Sequence, residues 1–131
     1  MHVVAHGIDL VETARVAEVH ARHGARFLDR VFTPAEQAYC LDRKRMYEHL
    51  AARFAAKEAV LKALGTGWRD GIAWTDVEVV NSPACAPSIR LSGRCAQIAA
   101  DLGLSEVLIS LTHTAAHAMA SAIALGEGDE P

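Results

Sequence analysis

The longest helix that the sequence predicts runs from about residue 45 to 64 and places Met46, Leu50, Phe54, Leu61 and Leu64 on one apolar stripe. Two ionisable residues interrupt that stripe. Lys57 falls close to its centre, and Glu58 lies at its edge beside Phe54. A buried charge without a partner is costly, so each side chain needs an answer elsewhere. In one reading the two form structural ion pairs with each other, or Lys57 extends its stem to the rim. In the other, Glu58 points into a cleft and holds a cation. Lys62, four residues beyond Glu58, pairs with it by the ordinary helix rule in either case. Asp9 is the second carboxylate of interest. It ends a predicted strand over residues 2–9, where an acid opening into a loop serves either as a ligand or as a turn former.

Other chemistry is weaker in the sequence. His20 and His23 are three apart on a predicted helix without further ligands, which suits a solvated surface better than structural zinc. His113 and His117 show an H-x3-H spacing, but no cysteine pair completes a finger. His113 stands out because Thr112 and Thr114 flank it at the end of a strand-like run. Gly65-Thr66-Gly67 is glycine-rich but follows a helix, the wrong side for a phosphate loop, and reads as a helix stop. Glu36 has a structural task, because Thr33-Pro34-Ala35-Glu36 matches a capping box with proline at the first helical position.

The elements that must carry these residues follow from periodicity. Helices are expected over 12–23 (stopped at Gly24), 25–31, from 34, over 45–64 and over 93–102 (stopped at Gly103). Strands are expected over 2–9, 72–80, 88–91, 107–112 and 118–125. The short turn between the last two strands favours an α+β fold, with an antiparallel sheet packed against one long helix and several short ones. The 131 residues suit one domain, taken as 1–125, followed by a polar tail at 126–131.

Composition removes several classes. The net charge of −3, with both signs interspersed, fits neither a disordered acidic chain nor a basic nucleic-acid module. No apolar run reaches the roughly 18 residues of a membrane span, and the N-terminus does not resemble a signal peptide. Three cysteines without a C-x-x-C motif point to reduced thiols and a cytoplasmic location. Between residues 13 and 57, nine basic side chains meet five acidic ones, a local balance of +4 that suits a solvated face or an acidic partner. Alanine is over-represented at 25 residues, so elements should pack closely or be completed by another chain.

Three blocks together resemble the small bacterial 4′-phosphopantetheinyl transferases, the holo-acyl-carrier-protein synthases: GIDLVETARV at 7–16, FTPAEQAYC at 32–40 and RFAAKEAVLKALGTG at 53–67. APSIRLSG at 86–93 and SLTHT at 110–114 extend the likeness almost end to end, with Cys85-Ala86 where the family has a glycine. The resemblance implies transfer of 4′-phosphopantetheine from coenzyme A, as substrate, to a serine of an apo acyl carrier protein in fatty-acid synthesis. It implies magnesium held by Asp9 and Glu58, with Glu58, Lys62 and His113 as catalytic residues. Lys62 would stand near the leaving phosphate, and His113 would be a coenzyme-pocket residue able to act as base. Arg53 and Lys57 would reach the phosphates or a neighbouring subunit, and Gly65, Thr66 and Gly67 would let the coenzyme approach closely. Arg15, Arg22 and Arg26 would dock the acidic carrier, and the working form would be a homotrimer. A non-catalytic coenzyme- or carrier-binding module of the same fold is the alternative, and Asp9, Glu58 and Lys62 argue against it.

Overall fold

The structure, a computed structural model, describes residues 1–67, 71–82 and 85–127. The chain forms β1 (His2–Glu12), α1 (Thr13–His23), α2 (Ala25–Val31), α3 (Pro34–Leu41) and α4 (Met46–Leu64). A 3-10 turn (Trp74–Asp76), β2 (Val77–Ser82), β3 (Cys85–Leu91), α5 (Gly93–Asp101), β4 (Leu104–His113) and β5 (His117–Gly126) complete it. The strands form two antiparallel sheets, one of three strands in the order β1-β5-β4 and a pair β2-β3. The expected α+β class is observed, with the strands divided between two sheets.

Helix signals set the positions of the short elements. At the start of α3 the Thr33 side chain accepts from the Glu36 amide, while the Glu36 carboxylate accepts from the Thr33 amide, 2.8 Å away. Helix α4 stops at Gly65, whose φ of 77° is left-handed and whose amide returns to the last helical carbonyls.

Three expectations are corrected. Asp9 does not end a strand: β1 continues through Leu10, Val11 and Glu12, which pair with Met119, Ala118 and His117 of β5. The long antiparallel partner keeps the strand extended where local sequence suggested a turn. The run at 72–80 becomes strand only at Val77, after the 3-10 turn. Similarly, Gly126 belongs to β5 instead of the tail, and the Glu127 carboxylate meets the Met1 amino group at 2.8 Å. Residues 128–131 of the expected tail lie outside the described residues.

Helix α4 is the centre of the molecule, not a one-sided amphipathic helix. Leu50, Ala51, Ala52, Ala55, Ala56, Ala59 and Val60 are fully buried around it. Its bed is the alternating Ala118, Ala120, Ala122 and Ala124 of β5, each at most 1 % exposed. The alanine excess therefore serves close strand–helix packing. At Gly7 the approach is closest: a Cβ there would sit 2.0 Å from the carbonyl oxygen of Ala59. Only glycine fits.

Candidate active site

Asp9 and Glu58 line one cleft of about 450 Å³, with Arg15, Glu12, Phe54 and His117 among its walls. Forty-nine residues separate the two carboxylates in sequence, and the packing of β1 on α4 brings them together. Asp9 pairs in register with Ala120, so its side chain shares the face that α4 covers. Burial pushes the Glu58 carboxyl above the usual carboxylate range, the Asp9 charge pushes it further, and Lys62 partly offsets both. Two carboxylates that repel each other in a cleft present hard oxygen donors and negative charge that a divalent cation would relieve. Among the described residues no cluster of three or more His, Cys, Asp or Glu side chains is placed to hold a metal. Two carboxylates are sufficient for magnesium, which keeps water and phosphate oxygens as its remaining ligands.

Lys62 departs from the helix rule. Its ammonium lies 3.0 Å from Asp9 Oδ1 and donates to the Ile8 carbonyl at 2.9 Å, with no ion pair to Glu58. An i,i+4 pair on an exposed surface contributes only about 0.2–0.5 kcal/mol, so a charged acceptor plus a carbonyl on β1 prevails. About half of the Lys62 side chain remains exposed, leaving the ammonium accessible from solvent.

Lys57 faces the other way and pairs with neither Glu58 nor the rim. Its side chain is wholly buried, 2.8 Å from Glu36 Oε1, and donates to the carbonyls of Trp74 and Val77. The other Glu36 oxygen accepts from the Val79 amide at 2.8 Å. Glu36 is therefore both helix cap and buried counter-ion, a second role the capping pattern does not announce. The coenzyme-contact expectation for Lys57 gains nothing here, because the ammonium is enclosed. Burial holds the Lys57 pKa below the ordinary lysine value, opposed by Glu36.

His113 occupies a separate region. Its Nδ1 is 3.0 Å from Glu48 Oε1, and its ring packs edge-on against His49 at 5.3 Å between centroids. His49 in turn packs against Tyr39, whose ring is covered by the guanidinium groups of Arg43 at 3.8 Å and Arg53 at 4.2 Å. Arg53 is almost fully buried and donates to Asn81 Oδ1 at 2.7 Å, while its Nε has no hydrogen-bond partner among the described residues. A cavity of about 420 Å³ opens beside Tyr39, Arg43, Asn81 and Ser82. Desolvation, followed by the Arg53 and His113 charges, lowers the His49 pKa. Glu48 and Glu58 stand ten residues apart on α4, a rise of about 15 Å. One chain thus holds the carboxylate cleft and the histidine–arginine cluster apart.

The remaining candidates are surface features. Gly65 and Gly67 both have positive φ, and a Cβ on either would meet nothing within 4 Å, so backbone conformation explains them without a close neighbour. Thr66 donates to the Gly67 carbonyl at 2.9 Å. Arg15 lines the carboxylate cleft, while Arg22 pairs with Glu18 at 3.2 Å on the exposed side of α1 and Arg26 is exposed on α2. Cys40 and Cys95 are buried, with thiols pushed up to about 11, chiefly by desolvation. They are not nucleophiles at neutral pH.

A sequence model of the 4′-phosphopantetheinyl transferase superfamily matches residues 5–120. The chain belongs to this superfamily. Among its relatives, a holo-[acyl-carrier-protein] synthase of Desulforudis audaxviator is 49% identical over 123 residues, covering 94% of this chain and 93% of the relative. One of Koribacter versatilis is 46% identical over 121 residues, covering 92% and 97%. The Helicobacter pylori holo-[acyl-carrier-protein] synthase, solved in complex with coenzyme A, superposes with a TM-score of 0.80 at 31% identity, covering 92% of this chain and 99% of that one. In this transferase, Tyr39, Glu48, His49 and Asn81 escaped the sequence reading. The contacts that join them are mostly remote in the chain, Glu48 and His49 with His113 and Asn81 with Arg53, whereas Arg43 over Tyr39 and Arg45 beside Glu48 are local.

Proposed function

We propose that the protein transfers 4′-phosphopantetheine from coenzyme A to a serine hydroxyl of an apo acyl carrier protein, releasing adenosine 3′,5′-bisphosphate. The observation that carries this reading is the convergence of Asp9 and Glu58 on one cleft, with the Lys62 ammonium 3.0 Å from Asp9, in a chain of the phosphopantetheinyl transferase superfamily. The serine oxygen forms a new bond to the pantetheine-bearing phosphorus, and the anhydride bond to the departing bisphosphate breaks. Asp9 and Glu58 would hold magnesium, which supplies charge neutralisation for the pyrophosphate. Lys62, half exposed beside Asp9, would hydrogen-bond a phosphate oxygen as negative charge grows on the leaving group. His113 meets the coenzyme and can accept a proton, and Arg53 and Arg43 supply positive charge to its phosphates.

The separation of the two clusters within one chain favours a site shared between copies. On the sheet face away from α4, Ile8 is 50% exposed, Leu10 61%, Leu108 45% and Met119 38%, an apolar surface suited to a like chain. The homotrimer implied by family resemblance would cover that face and bring one chain's His113 cluster towards another's carboxylate cleft. Arg15, with Arg22 and Arg26, forms the landing surface for the acidic carrier. The transferase domain is taken as residues 1–125 with Gly126 added as the last residue of β5, the setting as cytoplasmic and the pathway as fatty-acid synthesis. None of the described helices is long and apolar enough to cross a membrane.

Incubation of the purified protein with magnesium, coenzyme A and apo carrier protein, followed by intact mass, tests the activity. A phosphopantetheine increment that chelator abolishes is expected. Its absence on every carrier, with folded protein, overturns the reading.

A further inference from the structure

We infer that Glu48 is the positioning residue for His113, fixing which ring nitrogen faces the coenzyme. The inference rests on the proposed contact between His113 and coenzyme A. Nδ1 lies 3.0 Å from Glu48 Oε1, and a carboxylate at that distance accepts, so Nδ1 carries a proton and donates. In the neutral ring that leaves Nε2 unprotonated, on the side away from Glu48. Nε2 makes no hydrogen bond among the described residues.

Glu48 is itself held. Its side chain is 13% exposed in the first turn of α4, and Arg45 Nε stands 3.9 Å from its other oxygen. The ring plane has a second constraint, because His49 packs against it at 62° between planes. His113 is the last residue of β4, so its backbone is set by the pairing with Ala118. Strand, neighbouring ring and carboxylate thus fix position, plane and tautomer in turn. A carboxylate beside a cluster that contains Arg43 and Arg53 would by itself oppose an anionic ligand. Its place behind His113, on the Nδ1 side, lets it orient the ring while Nε2 stays turned towards the ligand.

Nitrogen NMR of ring-labelled protein, at a pH where the ring is neutral, reads the tautomer directly. The expected result is Nδ1–H with bare Nε2, and the reverse tautomer in the wild type overturns the inference without any variant. Glu48→Ala should mix the two tautomers and raise the KM for coenzyme A about tenfold, the loss of one charge-assisted hydrogen bond. The KM for carrier protein should not change. Glu48→Gln, whose amide oxygen still accepts from Nδ1, should restore most of the coenzyme KM. An unchanged coenzyme KM in Glu48→Ala refutes the positioning role. The parallel variant His113→Ala separates the two claims. If it too leaves the coenzyme KM unchanged, the coenzyme contact itself is wrong; if it raises KM while Glu48→Ala does not, only the role of Glu48 falls.

Discussion

Lys57 and Glu58 are consecutive residues on α4, yet their surroundings are opposite. Lys57 is enclosed, its charge met by Glu36 and two carbonyls, and Glu36 is further tied to the amides of Thr33 and Val79. Every polar atom there has a protein partner, so the pair joins α3, α4 and β2 and has nothing left for a ligand. Glu58 opens on the other side of the helix, where the Asp9 carboxylate acts on it more strongly than the opposing Lys62 charge. That half of the helix is electrostatically incomplete. A saturated pair holds a fold together, whereas an unsaturated one is poised for something from solvent.

The largest test of this contrast is Lys57→Met. It leaves Glu36 buried without its counter-ion and should cost about 3–5 kcal/mol of stability, read from the urea midpoint. Adding Glu36→Leu should recover little, because the amides of Thr33 and Val79 then lose their acceptor, at about 1–3 kcal/mol each. A double variant as stable as wild type would break the claim that Glu36 serves the backbone as well as Lys57.

Asp9→Ala should act on the other side of the ledger. Turnover should fall by about a hundredfold or more if Asp9 is one of two carboxylates that hold the proposed ion. Stability should change little, since Lys62, the partner lost, is half exposed. Near-wild-type turnover in the mass assay would remove Asp9 from the ion site.

The smallest effect is expected from Glu58→Gln on the melting temperature without metal. Folding raises the Glu58 pKa above its ordinary 4.5, so the folded protein binds that proton more tightly than the unfolded chain. Above the raised value the ionised Glu58 destabilises the fold, and as pH falls towards 4.5 the penalty disappears. The Gln variant should therefore melt a few degrees higher at neutral pH, with the difference closing in acid. A variant that melts lower at neutral pH would show Glu58 to be a stabilising charge like Lys57.

Local chemistry made part of this legible from sequence. The capping box at Thr33–Glu36 and the stop at Gly65 are decided by residues within four positions of each other, and both appear as expected. Asp9 and Glu58 were singled out as metal ligands through family likeness, since spacing alone left Glu58 open between a structural pair and a cation ligand, and Asp9 between a ligand and a turn former. What escaped is non-local. Glu36 and Lys57 are 21 residues apart, and Glu48 and His113 are 65 apart, so no periodicity links them. For Lys62 a weak local rule pointed to Glu58, and a stronger acceptor pair on β1 overrode it. The end of β1 was misplaced because its extension depends on a partner strand more than a hundred residues away.

The missing Cβ of Gly7 has a consequence for chemistry two residues on. Gly7 precedes Asp9 on β1, and the carbonyl it nearly touches belongs to Ala59, the neighbour of Glu58. The gap between the two acidic side chains is therefore gauged by main chain resting on main chain, without an adjustable rotamer between them. A single methyl at position 7 would act as a shim, widening the jaws that Asp9 and Glu58 form while leaving both acids in place.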